Sequence, residues 1–261
     1  MATRIEEAAS YALVQLTTKG PPNRPRDGLQ TGTARKIEVE ATALERELRA
    51  GVEGDVVFDE SARALYASNA SNYRMAPIGA VLPRNTGDVL YTLAASRRYG
   101  APVIACVGGT GMPGQTVNVA VVLDFSRYMN RLIELNAEEK YARVQPGLVL
   151  DDLRRTAKQH RLTFGPDPAT RSRCTLGGTI GNNSCGTHPV IAGMTADNID
   201  EPEIATYDGV RMTAGATTES ERQQIISADG RRGEIYARLK SLLDANSDRI
   251  RSGGRAKAIL F

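Results

Sequence analysis

The chain has 261 residues, with 33 basic and 30 acidic side chains, a formal net charge of +3, 41% hydrophobic and 24% charged residues. That composition is of a soluble globular protein, and so small and scattered a charge excess gives no argument for nucleic acid, favouring a solvated surface over a phosphate-binding stripe. No window approaches the roughly 18 apolar residues of a membrane span and no signal-peptide core opens the chain, so a cytoplasmic protein without a transmembrane segment is expected.

Residues 1–36 contain the breaker-rich run Lys19-Gly-Pro-Pro-Asn-Arg-Pro-Arg-Asp-Gly28 and read as a flexible N-terminal arm. A helix fits Ile37 to Ala50, with Leu44 and Leu48 one turn apart, followed by the extended stretch Asp55 to Phe58. Asn85-Thr-Gly-Asp88 supplies an N-cap for a helix that stops at Gly100. With Ala101 to Val107 after it, this reads as a strand–helix–strand unit. Val119 to Asp124, Arg131 to Leu135 and Tyr141 to Gln145 read as short strands. Leu150, Leu153 and Ala157 mark one face of a helix ending near His160, and Thr175 to Asn183 opens a short glycine-rich helix. Ile204 to Tyr207 and Val210 to Thr213 flank Asp208-Gly209 as a hairpin. Ile235, Leu239, Leu242 and Leu243 recur at helical spacing, so an amphipathic helix and a basic tail, Arg249 to Lys257, end the chain.

Two glycine-rich segments carry the functional signal. One is Gly108-Gly-Thr-Gly-Met-Pro-Gly114; the other runs from Gly165 to Gly186 and includes Gly177, Gly178 and Gly181. Clustered glycine implies positive φ or close approach of a ligand to backbone. Gly109 to Gly114 matches G-x-G-x-x-G, yet the next strand begins near Val119, leaving no room for the crossover helix of a dinucleotide-binding Rossmann unit. What remains is a loop of backbone N–H groups able to cradle a pyrophosphate, or a loop whose glycines serve only to turn the chain. Cys106, Cys174 and Cys185 lack Cys-x-x-Cys spacing, so neither a zinc nor an iron–sulfur site is expected.

Val107 to Gln115, Phe164-Gly-Pro-Asp-Pro168, Thr175 to Gly186 and Thr195-Ala-Asp-Asn198 together resemble, in order and spacing, the FAD-linked oxidases of the vanillyl-alcohol oxidase and para-cresol methylhydroxylase type. The similarity is strongest to the D-2-hydroxyacid dehydrogenase branch, which includes the glycolate oxidase FAD subunit and D-2-hydroxyglutarate dehydrogenase; Ala70 to Gly79 also fits that branch. The resemblance implies an α+β, two-subdomain FAD-binding domain over residues 37–215, with residues 216–261 as its helical, incomplete end. It implies FAD cradled by Val107, Gly108, Gly109, Thr110, Gly111, Gly114 and Gln115, and lined by Pro166, Asp167, Thr175, Gly177, Gly178, Gly181, Asn182, Thr195, Asp197 and Asn198. The flavin is expected to be non-covalent, because tethering members carry histidine where this chain has Thr110 and Gly111.

Relatives usually have glycine at Val107, so this residue is expected to add bulk near the phosphates and to resist a positive φ. The resemblance also implies a closing strand, a substrate-binding cap and, in large members, a ferredoxin-like module beyond Phe261, to be supplied by a downstream domain or chain. The implied reaction is oxidation of a D-2-hydroxy acid by hydride transfer to flavin N5. The two histidines, His160 and His188, are not assigned as its base, and no catalytic residue is named. A non-catalytic interaction module that keeps the fold without FAD is the competing class.

Overall fold

A computed structural model describes residues 39–252; the arm at Lys19 to Gly28 and the tail beyond Ser252 lie outside them. The first half is organised by a four-stranded sheet of β1 (Asp55–Val57), β2 (Gly79–Leu82), β3 (Val103–Cys106) and β4 (Val121–Asp124) in the order β1-β2-β4-β3. β2 and β3 both run parallel to β4, and β1 is an antiparallel edge. Side chains of successive strand residues point to opposite faces, and the sheet uses both. Val56, Val81, Val103, Val121 and Leu123 pack with Leu44 and Leu48 of α1 (Ala41–Gly51) and with Val89 and Leu93 of α3 (Thr86–Arg98). Ala80, Ile104 and Val122 face the other way, where Tyr66 follows α2 (Glu60–Leu65).

The strand before α3 is β2, so the expected strand–helix–strand unit starts at Gly79 rather than Asp55. β2 is buried at all four positions; a strand enclosed on both faces shows no alternation to betray it. α3 itself is capped as expected, the Asn85 side chain accepting a hydrogen bond from the Asp88 N–H at 3.0 Å, and Gly100 leaves the helix at φ +64°. Asp88 is buried and its carboxylate accepts from the N–H groups of Glu53 (2.9 Å), Gly54 (3.0 Å) and Arg84 (2.8 Å), fixing the turn after α1 to the start of α3.

The β3–β4 connection, residues 107–120, contains no helix. Two adjacent parallel strands are therefore joined by the glycine loop alone, which bears out the rejection of the Rossmann fingerprint.

A second body follows. β5 (Leu132–Asn136) and β6 (Tyr141–Val144) form an antiparallel hairpin. Its Leu132, Ala142 and Val144 pack on a separate core of Leu148, Leu150, Leu153, Cys174 and Leu176, drawn from α4 (Leu150–Lys158), α5 (Leu176–Gly181) and the strand-like links before them. α6 (Pro189–Ala192) and a 3-10 turn (Thr195–Asn198) lead to the hairpin of β7 (Glu203–Ala205) and β8 (Arg211–Thr213). Gly209 takes φ +90° in the expected Asp208-Gly209 turn. The Tyr207 hydroxyl donates to the Ala101 carbonyl at 2.9 Å, tying this hairpin to the first sheet.

α7 (Glu219–Ser227), opened by a Thr218–Glu221 capping box, and α8 (Arg231–Ser252) complete the described chain. α8 is anchored by Ile235, which is buried, and by an Arg231–Asp208 ion pair at 2.6 Å. Its Leu239 and Leu242, expected on a buried stripe, are exposed.

Candidate functional site

The loop after β3 is held from outside. Ala70 N–H donates to the Gly109 carbonyl at 3.0 Å, and Asn69 Nδ2 donates to Thr116 Oγ1 at 2.9 Å. Gly109 adopts φ +58° and Gly114 φ +83°; a side chain at Gly114 would run into the Tyr73 ring. Among the described residues, no group accepts a hydrogen bond from the N–H of Gly108, Gly109, Thr110 or Gly111. Gly109, Thr110 and Gly111 are half-buried and Gly108 is exposed, so this glycine-rich stretch leaves four consecutive N–H donors without a partner in the protein, the kind of backbone from which anion-binding nests are built.

Val107 does not take a left-handed backbone, contrary to the strain expected from its replacing glycine. Its side chain packs against the main core. From there it also approaches α5: a Cβ built on Gly178 would lie 3.3 Å from Val107 Cγ2 and 3.4 Å from Thr175 Oγ1. Thr175 is 3% exposed and its hydroxyl has no hydrogen-bond partner among the described residues. An orphaned buried hydroxyl costs about 1–3 kcal/mol and needs a reason. It lies beside the loop of unpaired N–H donors, where a bound polar group would satisfy it.

Several glycines have a different cause from the one expected. Gly108 lacks a Cβ because the Arg173 carbonyl passes over it, and Gly177 because Pro146 does. These two serve chain-on-chain packing. Gly181 has open space where its side chain would be.

The second glycine segment is stitched together by Asn182, Asn183 and Ser184. Gln115 Nε2 donates to Asn182 Oδ1 at 2.8 Å, and Asn182 Nδ2 donates to the Gly178 carbonyl at 3.1 Å. Asn183, at φ +44°, accepts from the Ala196 N–H at 2.9 Å, and the Ser184 carbonyl accepts from both the N–H and Oγ1 of Thr195, at 2.8 and 2.7 Å. Gly186 lies against the Asp167 backbone, which brings the Pro166-Asp167 turn to the same loop.

The side chains of Asp167, Thr195, Asp197 and Asn198 are occupied internally. Asp167 pairs with Arg154 at 2.6 Å and Arg171 at 3.1 Å, while Asp197 accepts from the Met194 N–H at 2.9 Å. Asn198 Nδ2 donates to the carbonyls of Ala192 and Met194, both at 2.8 Å. The structure thus joins Val107, Gln115, Thr175, Gly178 and Asn182 in one group, with Asp167 and Thr195 to Asn198 in a second tied to the chain after it. Asn69 and Asn183, which sequence reasoning missed, fasten the loops; their only signal was asparagine beside glycine-rich or turn-forming chain.

At the C-terminal ends of β3 and β4, the Tyr66 hydroxyl donates to Asp124 Oδ2 at 2.8 Å. Burial first, then the Asp124 carboxylate, pushes the nearby Cys106 thiol up to about 11, and the same two causes raise the Tyr66 phenol. His188 is exposed with Nδ1 2.9 Å from Thr187 Oγ1, and Cys185 is an exposed free thiol. Among the described residues, no His/Cys/Asp/Glu group suits a metal ion, and no helix is long and apolar enough to cross a membrane.

This architecture is that of para-cresol methylhydroxylase-type flavoproteins. It matches p-cresol methylhydroxylase with bound substrate at a TM-score of 0.59 and 18% identity, over 70% of this chain and 36% of that one. The sequence profile of the FAD binding domain matches residues 77–215, and the chain belongs to that family. It is 32% identical over 210 residues, 79% of its length, to D-2-hydroxyglutarate dehydrogenase of Pseudomonas putida. To the glycolate oxidase subunit GlcD of Escherichia coli it is 30% identical over 69% of its length. The matches cover 21% and 36% of those two relatives.

Proposed function

We propose that this chain holds FAD non-covalently between loop 107–115 and α5, as the flavin-binding part of an oxidoreductase acting on a D-2-hydroxy acid. The observation that carries the reading is the run of unpaired N–H donors at Gly108 to Gly111 beside the orphaned Thr175 hydroxyl. Aligned amide donors suit the pyrophosphate oxygens, and Thr175 Oγ1 is free to donate to, or accept from, the same ligand. The residues present therefore fit the cofactor. Gln115 and Asn182 hold the two sides at a fixed separation, and Gly178 and Gly181 keep the α5 side clear. Loop 107–115 contains no histidine, which supports non-covalent binding.

When bound, FAD supplies a hydride acceptor at N5. The substrate class follows from the names of the two relatives. Oxidation of a hydroxy acid also needs a proton acceptor and a cationic clamp for the carboxylate, and we assign these to a cap domain outside residues 39–252, on the same or another chain; an iron–sulfur module there would carry electrons onward.

The test is an absorbance spectrum from about 300 to 550 nm, taken before and after incubation with FAD and desalting. Retained flavin bands are expected. A folded, colourless protein after this treatment would overturn the reading in favour of a module without cofactor.

A further inference from the structure

The chain between α2 and β2 folds back on itself before the sheet resumes. Ser68 and Arg74 form an isolated antiparallel bridge, and the Met75 N–H donates to the Ala67 carbonyl at 2.9 Å. The turn is pinned by its own side chains: Asn69 Oδ1 accepts from the Ser71 N–H at 2.9 Å, and Ser71 Oγ accepts from the Tyr73 N–H at 3.2 Å. Successive side chains of extended backbone alternate between faces, so Asn69 and Tyr73 share one side of this hairpin, and Ser68 and Arg74 the other. The first side is turned to the glycine loop at both ends. Asn69 reaches Thr116, and its Cβ lies 3.8 Å from where a Cβ on Gly109 would be, while Tyr73 lies against Gly114.

The Tyr73 ring meets Gly114 by an edge. A Cβ built on Gly114 would lie 2.6 Å from Tyr73 Cδ2 and 3.2 and 3.3 Å from Cγ and Cε2. Tyr73 nevertheless stays 62% exposed, and its hydroxyl has no hydrogen-bond partner among the described residues. An aromatic ring fixed at one edge and open elsewhere is a stacking surface without an occupant. Gly114 is followed by Gln115, whose bond to Asn182 crosses to the end of α5. The ring therefore stands at the mouth of the cleft between the glycine loop and α5, displaced along the loop from the unpaired donors of Gly108 to Gly111.

We propose that Tyr73 is the stacking partner of the isoalloxazine ring, an inference that rests on the FAD reading above. With the phosphates on the amides of Gly108 to Gly111, a planar ring farther along the same ligand reaches the Gly114 end of the loop. The isoalloxazine is assigned there rather than the adenine, because the ring that takes hydride has to stay open to substrate, and Tyr73 is open. Met112, exposed in the same glycine loop, adds a thioether of the kind that packs well at ring edges. Tyr73 is a positioning residue; it takes no proton from substrate.

The emission of bound flavin tests this. A phenol stacked on isoalloxazine quenches its fluorescence, because an electron passes from the phenol to the excited flavin and returns, with no net oxidation. The chain has no tryptophan to do the same. Phenylalanine stacks as tyrosine does but does not give up that electron. After loading with FAD and desalting, Tyr73→Phe should bind FAD as tightly as the parent and fluoresce severalfold more brightly per bound flavin. Tyr73→Leu should also be bright and should bind FAD about three- to tenfold more weakly. A tyrosine that only braces the loop would leave emission per bound flavin the same in the parent and Tyr73→Phe, and that result overturns the proposal. A parent protein that retains no flavin overturns the FAD reading and this inference with it, and is told apart by its missing absorbance bands.

Discussion

Gln115 Nε2 donates to Asn182 Oδ1 at 2.8 Å, a hydrogen bond that closes the two glycine-rich segments on each other across 67 residues of sequence. Both side chains are exposed, so water competes for this bond and its net contribution to folding is small, about 0.5–1 kcal/mol. Its use is positional. Gln115→Ala and Asn182→Ala should each leave chemical denaturation nearly unchanged while weakening FAD binding severalfold in a fluorescence titration, and the double variant should lose little more than either single one. Additive losses would show that the two residues act separately.

Gly109 takes φ +58°, and a Cβ there would meet only Asn69 Cβ, at 3.8 Å. Space is available; conformation is not. Gly109→Ala should cost about 1–2 kcal/mol from the left-handed backbone and should abolish FAD retention, because the loop relaxes by turning its N–H groups. Undiminished flavin binding in a folded Gly109→Ala protein would remove this loop from the site.

The contrast between α3 and β2 shows what the sequence carries. Asn85 and Gly100 bracket α3 with local chemistry, since the cap bonds its own helix and the glycine ends it. β2 has no such bracket; Gly79 to Leu82 is buried at every position and its partners, β1 and β4, lie far along the chain. The site divides in the same way. Crowded glycines suggest a backbone-built site, but the cause of two of them is non-local: the Arg173 carbonyl over Gly108 and Pro146 beside Gly177 are contacts that no spacing encodes. Asp167 and Asn198 fell within matching motifs, yet their side chains brace the loops.

Asp88 should be among the costliest polar positions to change. Asp88→Ala removes the acceptor for three part-buried backbone N–H groups, a loss of about 2–3 kcal/mol. Asp88→Asn, which retains one acceptor oxygen, should lose less. Urea denaturation distinguishes them, and equal midpoints for the two variants would show that the aspartate carboxylate is not what fixes this turn.

Thiol chemistry should follow burial. Cys106 is raised to about 11, first by desolvation and then by the Asp124 carboxylate, so it stays neutral through the physiological range. At pH 8 only about one molecule in a thousand carries its thiolate. Alkylation followed by peptide mass analysis should label exposed Cys185 first, with Cys106 modification rising about tenfold per pH unit until the pH nears 11. Rapid labelling of Cys106 at pH 7 would contradict the closed packing around Tyr66 and Asp124.

Val107→Gly should separate stability from cofactor affinity. The valine side chain packs on the main core, and its removal, together with the added backbone freedom of a third consecutive glycine, should cost about 2–3 kcal/mol. The same methyl groups face the space between the loop and α5, with Val107 Cγ2 only 3.3 Å from where a Cβ on Gly178 would be. Removing them widens the gap beside the orphaned Thr175 hydroxyl. FAD should bind the variant more tightly even as its denaturation midpoint falls. Affinity that is unchanged or weaker would mean that the cofactor already clears the valine, and that Val107 belongs to the core alone.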